Sequence, residues 1–508
     1  MIIWEEVENE EETCNYSGLL VIGAIMVGSS LAWWTWSTSS NELTNVVVTV
    51  EGATISYEDG ENITNNNLIP TSTKEKGISK NITVSSTGQV YLDLNMAVVT
   101  LEDGLKDASF KYEIYNGSDL VTGGNFANSN AGDNIALLSG VEVTSSPTTY
   151  TLYIWIDGNM SNPNTMYNQN FEFRLNAEAT DEKPDFAKQT LQKLGLIANE
   201  GTPNFGSTAT TDEGINAAQD DYGTSYYFRG AVENNYVQFA GYYWRIIRIN
   251  GDGTIRLIYD GTSAHANGES SSDRQIGTSR YNSTYGDNAY AGYMMGIDNE
   301  CEPAESCSGR GSAKTTLYNQ AHSNTYSSTI KKAVDNWYKT NILDAGYSDK
   351  VADVIYCNDR QIDPTSSGTG YGTSETDYGA YYRLYTNKSP ILTCSQKNDA
   401  FTVSDTTKGN GALKYPVGLI TADEVAMGGG ASGSSNSNSN YYLYTGNYYW
   451  IMSPFLYGGT VIVGLLDDDG FLGFDDCYES YGIRPVISLK SSVELLGSGT
   501  QNDPWVVQ

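Results

Sequence analysis

Residues 441–490 read YYLYTGNYYWIMSPFLYGGTVIVGLLDDDGFLGFDDCYESYGIRPVISLK. The two ends of this stretch have the make-up of buried strand: Trp450, Met452 and Pro454 on one side, Ile483, Pro485, Val486, Ile487 and Leu489 on the other. Trp450, Arg484 and Pro485 are expected to be scaffold. Between them the character is mixed, within a hairpin-like frame. Tyr, Gly, Ser and Asp in such a frame supply rigid, amphipathic contact area at small entropic cost, the composition of an adaptable binding surface. The residues expected to make ligand contacts are Tyr457, Val461, Val463, Leu465, Asp467, Phe471, Phe474, Asp475, Asp476, Tyr478 and Tyr481. The competing expectation for Phe471 and Phe474 is plain core. DDDG at 467–470 invites a calcium reading, but Leu465 stands where a third ligand belongs and no Glu closes the loop, so a hairpin turn is expected. Asp475 and Asp476 are neighbours on a strand and point to opposite faces, which argues against a catalytic carboxylate pair.

Working outward, YYWRIIRI-NGDG-TIRLIYDG at 242–261 predicts a β-hairpin turning at Asn250–Gly253. In SSTIKKAVDNWYKTNI, Ile330, Val334, Trp337 and Tyr338 form one apolar stripe behind a Ser cap, which predicts a helix. In TADEVAMGGG, Thr421 and Glu424 predict a capping box and the glycines a stop. From 44 to 180 short alternating runs such as NITVSST, QVYLDLNMAVVTL and TYTLYIWIDG are separated by turn residues, predicting an all-β sandwich or jelly roll. A Pro-initiated helix, KPDFAKQTLQKLGL, opens a helix-and-linker segment over 181–224. The expected fold class is β-rich α+β.

The N-terminus bears on the compartment. Residues 18–36, GLLVIGAIMVGSSLAWWTW, carry no charge and are long enough to span a bilayer as a helix, with Trp33, Trp34 and Trp36 as an interfacial belt. A signal peptide cleaved near Ala32 is the other reading; either exports the remainder. The segment 1–16 before it is acidic, contrary to the positive-inside rule. The expected organisation is therefore 1–16 acidic segment, 17–40 anchor or signal, 44–180 sandwich, 181–224 helix and linker, and 225–508 a C-terminal α+β domain.

Composition narrows the function. Across 508 residues the formal net charge is −32, which repels phosphate backbones, so no nucleic-acid partner is expected. The only histidines, His265 and His322, leave no multi-His metal site. No cofactor, metal or catalytic residue is expected. Among the six cysteines none forms CxxC; Cys301 with Cys307, and Cys357 with Cys394, are the disulfide candidates.

Five ordered motifs, YYWRIIRINGDGTIRLIYDG, CNDR at 357–360, KYPVGLITADEVAMGGG, YYWIMSP and GIRPVISLK, resemble Gram-positive bacterial surface proteins. The C-terminal domain of those proteins is similar to the formylglycine-generating-enzyme branch of the C-type-lectin fold. SLAWWTWSTSSN and the β domain after it are similar to camelysin and biofilm-fibre subunits. The resemblance implies a C-type-lectin-like domain over 225–508 whose 455–481 segment is the ligand-binding face. That segment also resembles the variable region of diversity-generating retroelements. These place NNY codons, which cannot specify Met, Trp, Lys, Gln or Glu, and only Glu479 between Phe455 and Tyr481 belongs to that set. The paired copper-binding cysteines of the formylglycine enzymes are lacking. The implied function is a surface-anchored adhesin or receptor, binding a protein or glycan on another cell, phage or host, with residues 18–36 in the membrane. A fibre or surface-layer subunit is the structural alternative. A hydrolase or oxidase using Asp467 or Asp475 is the enzymatic one.

Overall fold

The computed structural model describes residues 70–508 except 159–165, 167–168, 181–182, 200, 303–307 and 434–435, together with the strands Ser30–Trp33, Val46–Val50 and Ala53–Asp59. The chain divides into two compact units, Met1–Pro184 and Asp185–Gln508.

The first unit is all β among its long elements. One sheet runs in the order Ser30–Trp33, Phe171–Thr180, Val90–Leu101, Asn134–Val143; a six-stranded sheet contains Ile78–Ser86, Thr148–Ile156, Phe110–Asn116 and Asp119–Asn125. Alternation explains the layering. In Val90–Leu101, Val90, Leu92, Leu94, Met96 and Val98 point inward; in Ile78–Ser86, Ile82 and Val84 do. These inward residues from both sheets meet in one core with Phe110, Phe126 and Phe173. The alternating runs thus form strands of two sheets that share one hydrocarbon core.

Ser30–Trp33 is a strand, antiparallel to Phe171–Thr180 with Ser30 opposite Ala179. This corrects the expected membrane helix at these four residues: their backbone groups are met by a neighbouring strand instead of an intrahelical ladder. Residues 18–29 and 34–36 lie outside the described residues. No helix among the described residues is long and apolar enough to cross a membrane.

The second unit combines sheets with short helices. The expected linker contributes to it directly. Asp185 caps the helix Phe186–Lys193 by accepting from the Lys188 N–H (2.8 Å), and Ala187 and Leu191 enter the unit's core. Asp212–Gln219 then begins an eight-stranded sheet with Thr224–Gly230, Tyr242–Ile249, Tyr236–Phe239 and Ile255–Gly261. The 242–261 hairpin turns where expected, the Gly253 N–H donating to the Asn250 carbonyl at 2.8 Å. The helix Thr329–Tyr338 is capped by Ser328, and Ala422–Gly428 carries the capping box of Thr421 and Glu424. Both follow from local chemistry, a side-chain oxygen meeting an otherwise orphaned N–H. Cys357 and Cys394 form a disulfide, with Cα atoms 5.5 Å apart. Cys301 is disulfide-bonded, and Cys307 lies outside the described residues.

Candidate ligand-binding face

A second sheet of this unit is ordered Thr278–Arg280, Ser480–Gly482, Tyr449–Tyr457, Val461–Leu466, Leu472–Asp476. Tyr449–Tyr457 is central and buried on both faces, with Trp450 donating from Nε1 to the Ser279 carbonyl (2.9 Å). Val461–Leu466 is covered on both faces for most of its length. Four of the expected contact residues, Tyr457, Val461, Val463 and Leu465, are therefore core side chains at 2% exposure or less. The correction has a simple cause: period-two alternation separates inside from outside only where one face of a strand meets water. The Tyr457 hydroxyl is spent internally, on the Gly286 carbonyl at 3.1 Å. Scaffold roles for Trp450, Arg484 and Pro485 agree with their burial.

The remaining seven sit at the surface or half-buried. Asp467–Gly470 is the hairpin turn between the last two strands; the Gly470 N–H donates to the Asp467 carbonyl (2.9 Å), and Gly470 has φ +83°, which glycine adopts without strain. Asp467, Asp468 and Asp469 cluster there. Burial first, and then the neighbouring acids, push the Asp467 carboxyl up to about 6. Phe471 is half-buried beside this turn.

The edge strand Leu472–Asp476 presents two different surfaces. Phe474 lies opposite Gly464, where a Cβ would come within 2.6 Å of Ile451 and 3.0 Å of Phe455. The missing side chain lets Phe474 lean on Phe455 (ring centroids 5.8 Å), Tyr385 (5.9 Å) and Tyr381 (6.2 Å). Tyr381 and Tyr385 stack at 4.7 Å, and the Tyr385 hydroxyl donates to the Leu472 carbonyl (2.9 Å). Phe474 nonetheless keeps 40% of its surface in water. Tyr385 belongs to Tyr382–Asn387, a π-helical turn that widens the spacing.

On the opposite face, Asp475 accepts the Tyr481 hydroxyl at 2.5 Å. Tyr481 stacks on Tyr448 (5.2 Å) and meets Trp450 edge-on (5.1 Å). Burial, then Asp475, raises the Tyr481 phenol. Burial, then Asp468, pushes Tyr448 up to about 12. Asp476 instead takes the Tyr478 hydroxyl (2.8 Å), a bond that together with burial pushes that phenol up to about 12, and Tyr478 packs on Tyr285 at 4.7 Å. These phenols stay protonated at neutral pH and act as donors, while Asp475 keeps acceptor capacity; the second oxygen of Asp476 is buried without a partner. Half-exposed aromatic rings beside carboxylates can stack on an apolar or sugar face and accept from hydroxyls or ammonium groups.

Tyr448, Tyr285, Tyr381 and Tyr385 were not among the expected contacts. The i, i+4 spacing of Tyr381 and Tyr385 in YYRLY is a readable signal of one aromatic face. Tyr448 carries none beyond its place two residues before Trp450, and Tyr285 none at all. Cys477, between these clusters, is buried, and burial raises its thiol, which makes it a weak nucleophile. No family model matches this chain, and no curated protein matches it.

Proposed function

We propose that this chain is a cell-surface ligand-binding protein, with a C-type-lectin-like second unit that contacts a protein or glycan through the 467–481 surface. The observation that carries the reading is the Tyr448–Tyr481 stack, half-buried, with Asp475 fixing the Tyr481 ring and Asp467 and Asp468 beside Tyr448. An aromatic platform with acidic acceptors on its rim provides an anchor and orientation at once. Export is supported by the Cys357–Cys394 disulfide, a bond that persists in oxidising compartments, and by the strongly acidic surface. The apolar residues before Ser30 remain the proposed export segment.

The test uses the full chain on glycan arrays and on cells or phage from its source environment. Tyr448→Ala with Tyr481→Ala should weaken any captured ligand by about thirtyfold, as for truncated anchor residues, while leaving the thermal transition cooperative. Unchanged binding by the double variant sinks the reading. Population sequencing of the locus tests the variable-region idea. Changes should fall on Asp467, Asp468, Phe474, Asp475, Asp476, Tyr478 and Tyr481 and spare Val461, Val463 and Leu465, which the core holds. An invariant segment removes the idea.

A second reading, a fibre subunit, is favoured by one observation. The strand Asp119–Asn125 ends its sheet, and Leu120 and Val121 there are 55% and 43% exposed. An edge with exposed apolar side chains is a template for strand addition. Filaments in electron micrographs of the full chain, dispersed by Leu120→Lys, would support it over the first.

A further inference from the structure

Away from the 467–481 surface, the second unit holds a small cleft, open to solvent, with about 30 Å³ of water-accessible volume. Its floor is ionic. Three arginines, Arg248, Arg256 and Arg383, face five carboxylates, so with every group ionised the acids are in excess.

Following each carboxylate oxygen shows where that excess resides. Asp220 takes Arg248 Nη1 (2.6 Å) on one oxygen and the Tyr222 and Gly223 N–H groups on the other. Glu424 accepts Arg248 Nε (3.0 Å) on Oε1, where Arg256 Nε also pairs ionically at 2.6 Å, and the Thr421 N–H (3.0 Å) and Arg256 Nη2 (3.5 Å) on Oε2. Asp423 receives Arg383 Nε (3.1 Å) and the Ile391 N–H (3.0 Å) on Oδ1 and Arg383 Nη2 (2.6 Å) on Oδ2. Asp221 accepts the Cys394 N–H at 3.0 Å. Asp359 is different. It is 5% exposed, its Oδ2 bonds Arg383, and its Oδ1 has no partner at all. A buried carboxylate oxygen without a donor is costly and calls for one. Burial also pushes the Asp359 carboxyl up to about 6 despite Arg383, as expected for an acceptor short of positive charge.

The walls narrow the choice of donor. Ile355, Ile391 and Leu392 line the cleft with hydrocarbon. Among the described residues the only three acidic, His or Cys groups close enough to share a metal ion are Asp467–Asp469, outside this cleft. A divalent ion would find no converging set here. We propose that the cleft binds a primary ammonium group on a short apolar stem, donating to Asp359 Oδ1 while the stem lies along Ile355, Ile391 and Leu392. The ligand chemistry is that of a lysine-like side chain or an alkyl polyamine end.

The experiment titrates the full chain with n-butylammonium by calorimetry and by thermal shift, with n-butanol and calcium chloride as separate arms. Because a strongly acidic protein attracts cations everywhere, the comparison is with Asp349→Asn, which removes one exposed charge elsewhere. Saturable butylammonium binding is expected in the wild type and in Asp349→Asn. Asp359→Asn should weaken it by at least about tenfold, the cost of losing a charged hydrogen bond. Ile391→Trp, which narrows the cleft through its side chain and keeps the backbone N–H bond to Asp423, should weaken it as well and guards against a folding defect in Asp359→Asn. Equal binding by butanol, undiminished binding in both cleft variants, or calcium displacing butylammonium from the Asp359 site would each overturn the proposal.

Discussion

The two units solve the problem of a stable interior with different chemistry. In the sandwich the core is hydrocarbon, and the charged side chain buried in it is Lys80, whose amine burial alone pushes down to about 8. The second unit buries Arg229, Arg245, Arg256, Arg274, Arg360 and Arg484 almost completely and meets the last five with the buried acids Asp260, Asp399 and Glu424, and Arg229 with Glu213. Asp260, for example, binds Arg274 at 2.7 Å and Arg484 at 2.8 Å with no side chain exposed. Hydrocarbon burial is non-directional and tolerates imperfect fit, whereas a buried ion pair stabilises only when every partner is in place. The sandwich should therefore lose stability in proportion to the volume removed, and the second unit should fail abruptly when one charge is removed.

That contrast can be broken outright. Asp260→Ala removes the carboxylate shared by three buried guanidinium groups, Arg245, Arg274 and Arg484, and should cost about 5 kcal/mol, the upper end for an uncompensated buried charge. Leu94→Ala in the sandwich should cost about 3–4 kcal/mol through lost burial and a cavity. Urea midpoints of both variants decide the matter, and an Asp260→Ala cost below that of Leu94→Ala would end the distinction. The histidines sharpen it further, since both lie in the second unit. His322 stacks on Tyr318 at 3.9 Å, and burial, then the Arg360 charge, pushes its imidazole down to about 4. The unfolded chain then takes up a proton below about 6.5 that the folded chain refuses, so stability falls as pH drops from about 6.5 to about 4, by about 3 kcal/mol. His322→Gln should flatten that part of the stability profile, and a wild-type profile already flat there would contradict it. The smallest effect is at the surface: Tyr481→Phe, which removes one half-exposed hydrogen bond to Asp475, should shift stability by about 1 kcal/mol or less. A larger loss would mean that the 467–481 surface is structural.

Legibility follows the same division. The 242–261 hairpin, the Ser328 and Thr421 caps and the sandwich alternation rest on residues within a few positions of one another, and each was readable. Tyr242–Ile249 was readable as a strand, yet nothing in YYWRIIRI says that Arg245 and Arg248 are buried, because a strand arginine ordinarily reads as facing solvent. Val461, Val463 and Leu465 were misplaced for the complementary reason, since a strand covered on both faces has no outward side to find.

By itself the sequence determined the β-rich class, the alternating strands, the local turns and caps, the Cys357–Cys394 pairing as a candidate and 455–481 as a segment of mixed chemistry. Those are consequences of period, spacing and composition, which act over short distances along the chain. Only the tertiary structure decided which half of 455–481 meets water. It also made Ser30–Trp33 a strand and gathered Asp220, Asp359, Arg383 and Glu424 around one cleft. Long-range packing sets burial and partner choice, and the same carboxylate is a solvated charge or an orphaned acceptor according to what folds over it.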